Sequence, residues 1–203
     1  MNYFINLYNI YIHTNCIYIL CVVFQASGSE DVEYITTVDV LRRANIDVTT
    51  ASIHETEKVQ LQSKNTVFAD TIIDKVKNDI FDVIIIPGGM KGSNAISDCQ
   101  VVIEMLRDQK KNNRLYAAIC AAPALVLHRH SLIDDVEAVA YPSFESDFKH
   151  IGKGRVCVSK NCVTSLGPGT AVEFALKIVE LLLDRESALR LASGFLLHPS
   201  ITF

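Results

Sequence analysis

Cys120 has the sequence surroundings that a reactive cysteine needs. It follows the short apolar stretch 115–119, which predicts a buried strand, and it precedes Ala121-Ala122-Pro123, which begins a predicted helix. Small residues on both sides allow the sharp strand-to-helix turn that carries the nucleophile of many hydrolases, here with cysteine in place of serine. Partial positive charge at a helix N-terminus stabilises a thiolate, so we expect a pKa for Cys120 below the free value of about 8.5. The sequence therefore predicts a nucleophile at neutral pH, and the alternative is an ordinary buried cysteine.

A second turn offers the hydrogen-bond donors that such a nucleophile would use. The stretch 81–86 predicts a buried parallel strand that ends at Pro87-Gly88-Gly89, where glycine lets the backbone approach a ligand closely. Attack of a thiolate on a carbonyl group creates an oxyanion, which needs preorganised donors. The N–H of Ala121 and one N–H of the Gly88-Gly89 turn are the candidates for this oxyanion hole.

Strands and helices alternate along the chain, which predicts a mostly parallel sheet covered by helices on both faces. The predicted strands cover 17–24, 46–53, 81–86, 115–119, 138–141, 156–158 and 162–164, with a short hairpin over 59–68. The predicted helices cover 32–43, 99–111, 121–130, 171–183 and 185–193. In such a sheet the ligand site lies beyond the carboxyl ends of the strands, and Cys120 occupies one of these ends.

Five separated motifs resemble the DJ-1/PfpI family in order and spacing, over roughly residues 17 to 190. They are Gly28-Ser29-Glu30-Asp31-Val32-Glu33, Val38-Asp39-Val40-Leu41-Arg42-Arg43-Ala44, Ile86-Pro87-Gly88-Gly89, Ala117-Ala118-Ile119-Cys120-Ala121-Ala122-Pro123, and Gly167-Pro168-Gly169-Thr170 with Glu173-Phe174-Ala175. The resemblance implies a flavodoxin-like (class I glutamine amidotransferase-like) three-layer α/β sandwich with a mostly parallel sheet. It also implies a homodimer.

The resemblance assigns a role to four residues. It implies that Cys120 is the reactive cysteine, that Glu33 is an acidic residue hydrogen-bonded to it, and that the amides of Gly89 and Ala121 form the oxyanion hole. A carboxyl group beside a thiolate is expected to stay protonated and to act as a donor. Without the resemblance, Glu33 reads as a solvated residue of a first helical turn.

One position departs from the family pattern. Where the family has a histidine before proline beside the cysteine, this chain has Tyr141-Pro142. Tyr141 is therefore a candidate neighbour of the site that can donate a hydrogen bond but is a poor base at neutral pH. The six histidines offer no obvious substitute, so a triad of cysteine, histidine and carboxylate is not expected.

Composition restricts the partners and the compartment. The chain of 203 residues has a formal net charge of −4 and no run rich in Lys or Arg, so an electrostatic case for binding nucleic acid or an anionic membrane is missing. The six cysteines lack the paired spacing of a zinc site or a disulfide framework. We expect a cytoplasmic protein with reduced cysteines, no metal and no cofactor.

The N-terminal segment differs from the rest of the chain. Residues 1–16 are interpreted as an extension of unknown role, and 17–203 as one domain. The first basic residue is Arg42, and asparagines interrupt the apolar residues of the segment, which does not fit a secretory signal. The apolar run is also shorter than the roughly 20 residues of a membrane span. A targeting segment stays an alternative.

The resemblance implies cofactor-free chemistry on reactive dicarbonyls. This includes glyoxalase III conversion of methylglyoxal to lactate and, as a protein deglycase, removal of early glycation adducts, with protection against oxidative stress. Cys120 would add to the aldehyde, Glu33 would move a proton between the adjacent carbons, and water would cleave the resulting thioester. Two alternatives stay open. One is a redox sensor or chaperone that uses oxidation of Cys120 to the sulfinate, and the other is a dimeric structural domain with a vestigial site.

Overall fold

A seven-stranded sheet forms the centre of the computed structural model, which describes residues 18–197. The strands are β1 (Leu20–Gln25), β2 (Asp47–Ser52), β3 (Lys58–Gln60), β4 (Thr66–Phe68), β5 (Thr71–Ile72), β6 (Val83–Ile86), β7 (Leu115–Ile119), β8 (Val156–Ser159) and β9 (Cys162–Ser165). Their order across the sheet is β5-β2-β1-β6-β7-β9-β8, and β3 pairs with β4 in a separate hairpin. The pairs within the sheet are parallel, apart from the antiparallel pair of β8 and β9. The prediction of a mostly parallel sheet is confirmed.

Helices cover both faces of this sheet. They are α1 (Asp31–Arg43), α2 (Ile73–Val76), α3 (Met90–Asp98), α4 (Gln100–Lys111), α5 (Ala171–Leu182) and α6 (Arg185–Gly194). A π-helix at Pro123–His128 and 3-10 turns at Pro142–Asp147 and Pro168–Thr170 complete the regular structure of the part described. The hairpin of β3 and β4 and the helices α1 and α5 were each predicted within a few residues of these bounds.

Two apolar layers hold the helices against the sheet. Val22 and Phe24 of β1 point into one layer, where they meet residues of α3 and α4 such as Ile96 and Ile103. The alternate residue Val23 points into the other layer, which includes side chains from α1 and α5. A central parallel strand is buried on both faces, which explains why β1 and β6 are continuous apolar runs without polar alternation.

Several elements differ from their predictions, including β5 and α2, which were not predicted. No strand forms over 138–141, because Ala138 makes only an isolated bridge to Ile151, and the apolar residues there are buried by core packing and not by strand pairing. The helix predicted over 121–130 is the six-residue π-helix. The helix α3 was not predicted, since its stretch 92–94, Gly-Ser-Asn, consists of poor helix formers.

At the N-terminus, the described chain begins at residue 18. The strand predicted over 17–24 is β1, Leu20–Gln25. The predicted extension over 1–16 lies outside the described residues, as does Ile17. Between residues 18 and 197, no helix combines the length and the apolar character that crossing a membrane requires.

Candidate active site

Cys120 lies directly after β7 in a backbone conformation that is uncommon for a residue with a side chain. Its φ is 65°, in the left-handed region. Its N–H donates to the carbonyl of Ser165 at 2.9 Å, and its carbonyl accepts from the N–H of Tyr141 at 2.8 Å. These two hydrogen bonds fix the turn in a conformation that would otherwise be costly. The residue as a whole is half-buried.

Glu33 is fully buried in the first turn of α1. Its backbone N–H donates to the side chain of Glu30, the residue that caps the helix, at 2.7 Å. Its Oε2 accepts the N–H of Gly88 at 2.8 Å. Its Oε1 meets no donor of conventional geometry among residues 18–197. Burial raises the pKa of Glu33 to about 7, against smaller lowering effects from Cys120 and the Gly88 amide.

Gly88 brings the carboxyl group and the cysteine together. A Cβ at Gly88 would lie 2.5 Å from Oε2 of Glu33 and 2.6 Å from Cβ of Cys120, so no side chain fits there. The two acids therefore face each other across a position that only glycine can occupy. Glu33 and Cys120 thus lie side by side across Gly88, and the hydrogen bond expected between them stays a prediction.

The predicted lowering of the Cys120 pKa is wrong for the state in which Glu33 is charged. Burial, then the charge of Glu33 and the hydrogen bond to it, raise the pKa of the Cys120 thiol to about 12. Only the neighbouring backbone amides act in the predicted direction.

These amides belong to Gly89 and Ala121. Both backbone N–H groups adjoin the sulfur of Cys120 and lower its pKa. Gly89 has a φ of 85°, and a Cβ there would lie 2.3 Å from the carbonyl oxygen of Gly28, so glycine is required for this turn. The structure thus places two N–H donors from two different loops at the same sulfur.

Tyr141 lies at the edge of the site, as the sequence suggests. Its side chain is 48% exposed, and its ring approaches Gly167, which in turn adjoins Cys120 and Glu33. The histidines for which side-chain contacts are defined have partners elsewhere. His54 accepts from the N–H of Ser27, His128 packs on Phe148, and His130 bonds to Ser97.

Gly88 was expected only as part of the turn that offers an oxyanion-hole amide, and no role was expected for Ser165 or Gly167. All three form the walls or supports of the site. Glycine at the ends of predicted strands was the available signal for two of them, but the atoms that each glycine approaches follow only from the packed structure. Among the side chains that the structure describes, in 18–144 and 148–197, no group of three or more His, Cys, Asp or Glu is arranged to hold a metal ion.

Comparison with known proteins places the chain among related sequences. The profile of the DJ-1/PfpI family matches residues 19–181. The chain is 40% identical over 178 residues to protein dj-1beta of Drosophila melanogaster, covering 86% of this chain and 95% of that protein. It is 39% identical over 158 residues to a glutathione-independent glyoxalase of Caenorhabditis elegans, covering 76% of this chain and 83% of that protein.

Other relatives are longer than this chain. Protein DJ-1 homolog B of Arabidopsis thaliana is 39% identical over 174 residues, which are 84% of this chain but only 40% of the plant protein. Among solved structures, oxidized DJ-1 of Toxoplasma gondii has a TM-score of 0.86 and 43% sequence identity, covering 88% of this chain and 98% of that one. The flavodoxin-like fold implied by the sequence is confirmed by this similarity.

Proposed function

Because this chain belongs to the DJ-1/PfpI family, we propose that it is a cofactor-independent glyoxalase in which Cys120 attacks methylglyoxal-type dicarbonyls. The observation that carries the proposal is the pairing of Cys120 with a buried glutamate, at a sulfur that also faces the amides of Gly89 and Ala121. The name of the glyoxalase relative from Caenorhabditis elegans supports this class of reaction.

The reaction begins from the state in which the pair of acids has lost one proton. When Glu33 keeps the remaining proton and Cys120 is the thiolate, Glu33 carries no charge and accepts no hydrogen bond from the thiol. The two effects of Glu33 that raise the thiol pKa are then absent. The thiolate adds to the aldehyde carbon of methylglyoxal and the carbonyl oxygen takes the proton of Glu33, which gives a hemithioacetal and leaves Glu33 as a carboxylate. The amides of Gly89 and Ala121 stabilise the oxygen while it is negative.

Proton transfer and hydrolysis complete the reaction. The Glu33 carboxylate removes the proton on the carbon bonded to sulfur and returns it to the neighbouring carbonyl carbon, while the hydroxyl proton passes to the neighbouring oxygen; this converts the hemithioacetal to a lactoyl thioester. Water then cleaves the carbon–sulfur bond, releasing lactate and regenerating the thiol. The net reaction adds one water to methylglyoxal and consumes no oxidant or reductant.

Substitution of the two acids tests this assignment. We expect Cys120→Ser to abolish lactate formation and Glu33→Gln to lower kcat on the order of 100-fold or more, the usual contribution of a positioned acid or base. Cys99→Ser is the matched control, because Cys99 is also a half-buried free cysteine and serine suits its position before α4. Lactate formation that persists unchanged in either test variant would remove that residue from the mechanism.

The same hemithioacetal chemistry extends to a protein deglycase activity. An early adduct of methylglyoxal on a protein thiol or amine releases the dicarbonyl reversibly, and Cys120 is half-buried and so accessible to a small fragment of this kind. The test is lactate yield from a glycated peptide after free methylglyoxal has been removed. A yield no greater than that from spontaneous release would leave the glyoxalase as the sole activity.

A redox sensor or chaperone is the second candidate function. The relative from Toxoplasma gondii is described as oxidized, and the amides at the sulfur would also bind the oxygens of a sulfinate. Two equivalents of hydrogen peroxide would oxidise the thiolate first to sulfenate and then to sulfinate, each releasing water. Mass spectrometry after mild peroxide, together with a lactate assay, separates the candidates. Selective oxidation of Cys120 without turnover favours the sensor.

A homodimer is part of the proposal. Val32 and Ile35 are exposed apolar residues one turn apart on α1, and Phe68 of β4 is 72% exposed. Ile35 and Phe68 line one groove of about 490 Å³ between α1 and the hairpin. Covering this surface with a second copy removes apolar area from water. Sedimentation of wild type as a dimer and of Phe68→Asp as a monomer is the expected result, and a monomeric wild type would contradict it.

We place the reaction in the cytoplasm. The five cysteines of the described chain are all free, which suits a reducing compartment. Cell fractionation with an antibody against the full chain is the direct measurement.

A further inference from the structure

Gly167 is not required by its backbone conformation. Its φ of 162° and ψ of −166° are extended and open to any residue, and extended backbone is also what Pro168 favours in the residue before it. In this respect Gly167 differs from Gly89, whose left-handed φ and close contacts demand glycine. A glycine at position 167 does, however, leave free the space that a side chain would fill.

That space lies at the centre of the site. A Cβ on Gly167 would be 3.5 Å from Cδ2 of Tyr141, 3.9 Å from Sγ of Cys120 and 4.0 Å from Oε1 of Glu33. These are ordinary van der Waals distances, so a methyl group fits without a clash. The α-carbon of Gly167 therefore faces a small gap bounded by the sulfur, the carboxyl oxygen and the tyrosine ring.

Glu33 supplies an independent sign that this gap receives a ligand. Its Oε1 is buried, meets no hydrogen-bond donor of conventional geometry among the described side chains, and borders the gap together with the Cys120 sulfur. A buried carboxyl oxygen without a partner is costly, and a polar group of a ligand would satisfy it.

The segment that carries Gly167 is held rigidly. Thr170 Oγ1 accepts the N–H of Gly167 at 3.1 Å and donates to its carbonyl at 2.8 Å, and it also bonds to the hydroxyl of Ser165 at 2.6 Å. The carbonyl of Ser165 in turn accepts the N–H of Cys120. The gap therefore has a fixed size relative to the sulfur.

We propose that the gap above Gly167 is the subsite for the substituent on the second carbonyl carbon of the substrate, with the ring of Tyr141 as its opposite wall. The inference rests on the proposed function and names Gly167 and Tyr141 as specificity-determining residues. The first carbon of the dicarbonyl is bonded to the sulfur, and Glu33 must reach both carbons, so their bond lies between Sγ and Oε1. The substituent, hydrogen in glyoxal and methyl in methylglyoxal, then lies between Gly167 and Tyr141.

The test compares Gly167→Ala with Gly169→Ala. Gly169 lies two residues away in the same turn, is exposed, and would carry a Cβ with nothing within 4 Å. In Gly167→Ala we expect the ratio of kcat/KM for methylglyoxal to that for glyoxal to fall about tenfold or more, the discrimination that one misfitted methyl group supplies. In Gly169→Ala this ratio stays at the wild-type value. An unchanged ratio in Gly167→Ala overturns the subsite while leaving the glyoxalase proposal intact.

Alkylation separates failure of the subsite from failure of the proposed function. If the wild type turns over neither dicarbonyl, the glyoxalase proposal fails, and iodoacetamide then probes the gap without turnover. Slower labelling of Cys120 in Gly167→Ala than in Gly169→Ala supports the gap beside the sulfur, and equal labelling overturns it.

Thermal unfolding shows whether Gly167→Ala is folded. A second variant tests the subsite independently of the stability of Gly167→Ala. Tyr141→Ala removes the opposite wall and is expected to raise kcat/KM for phenylglyoxal relative to glyoxal, at least about threefold for one large substituent released from contact. A ratio equal to that of the wild type would overturn the assignment of Tyr141 as a wall.

Discussion

Cys120 and Glu33 share protons, because two acids that face each other across Gly88 cannot both be charged without repulsion. Burial raises the pKa of Glu33 to about 7, and burial with the glutamate charge raises that of Cys120 to about 12. The second value holds when the carboxylate is charged. A proton on Glu33 removes this repulsion, so the thiolate forms most readily while the carboxyl group is neutral.

This sharing predicts opposite effects of Glu33→Gln on two measurements. Without the negative charge, the pKa of Cys120 falls below its wild-type value, so alkylation by iodoacetamide at pH 7 is expected to be at least as fast as in wild type. Lactate formation nevertheless falls on the order of 100-fold or more, because glutamine carries no proton between the two carbons. Rates of alkylation from pH 5 to 10, followed by peptide mass spectrometry, give the first measurement.

The control for this experiment is Glu186→Gln, which neutralises an exposed glutamate on α6. It should change neither alkylation nor turnover. Slower alkylation in Glu33→Gln than in wild type at every pH would contradict the prediction. It would mean that the Glu33 side chain favours the Cys120 thiolate and does not oppose it by its charge.

At the level of elements, the turn after β9 supports the site without contacting the reacting atoms. The hydroxyl of Thr170 makes three hydrogen bonds within this turn and is buried. We expect Thr170→Val to lower the free energy of unfolding by about 1–3 kcal/mol, the cost of leaving buried partners unpaired. Turnover should fall as well, because Gly167 and the Ser165 carbonyl lose their support. Urea unfolding and the lactate assay measure the two effects.

The same substitution at Thr37 is a matched control. Thr37 is equally buried in α1, but its hydroxyl has no hydrogen-bond partner in the described chain. Replacing a hydroxyl of that kind by a methyl group is close to neutral or stabilising. Equal losses of stability in Thr37→Val and Thr170→Val would show that the hydrogen bonds of Thr170 contribute little.

The elements also show how far the sequence can be interpreted alone. Continuous apolar runs such as β6 predict buried strands well, because only burial on both faces produces them. The run 138–141 is also apolar, but Ala138, Val139 and Ala140 are buried by packing without strand pairing, a difference that local sequence does not encode. The thiol pKa was mispredicted for a related reason. The helix effect was readable from sequence, whereas burial and the closeness of Glu33, which outweigh it, arise only on folding.

For the whole molecule, sheet order explains how distant residues form one site. Glu33, Gly88, Cys120 and Gly167 follow β1, β6, β7 and β9, which are four consecutive strands across the sheet. These strands are parallel, so their carboxyl ends share one edge, and the loops that leave them converge there. The parallel arrangement of these four strands therefore brings residues that are far apart in the chain to one edge of the sheet.

Folding of the whole molecule is linked to pH through Glu33. Because burial raises its pKa from 4.5 to about 7, the folded state binds this proton more tightly than the unfolded state does. The stabilisation is fully present below pH 4.5 and is lost as pH rises through 7. A shift of this size corresponds to at most about 3 kcal/mol.

The difference in free energy of unfolding between wild type and Glu33→Gln isolates this contribution. As pH rises from 4.5 to 8, we expect the free energy of unfolding of the wild type to fall by up to about 3 kcal/mol relative to that of Glu33→Gln. Only the wild type has a buried carboxyl group that becomes charged over this range. Urea unfolding at intervals across this range supplies the measurement, with Glu186→Gln as the reference for an exposed glutamate. A difference that stays constant from pH 4.5 to 8 would mean that Glu33 has an ordinary pKa, and the proton shared with Cys120 would then have to come from another group.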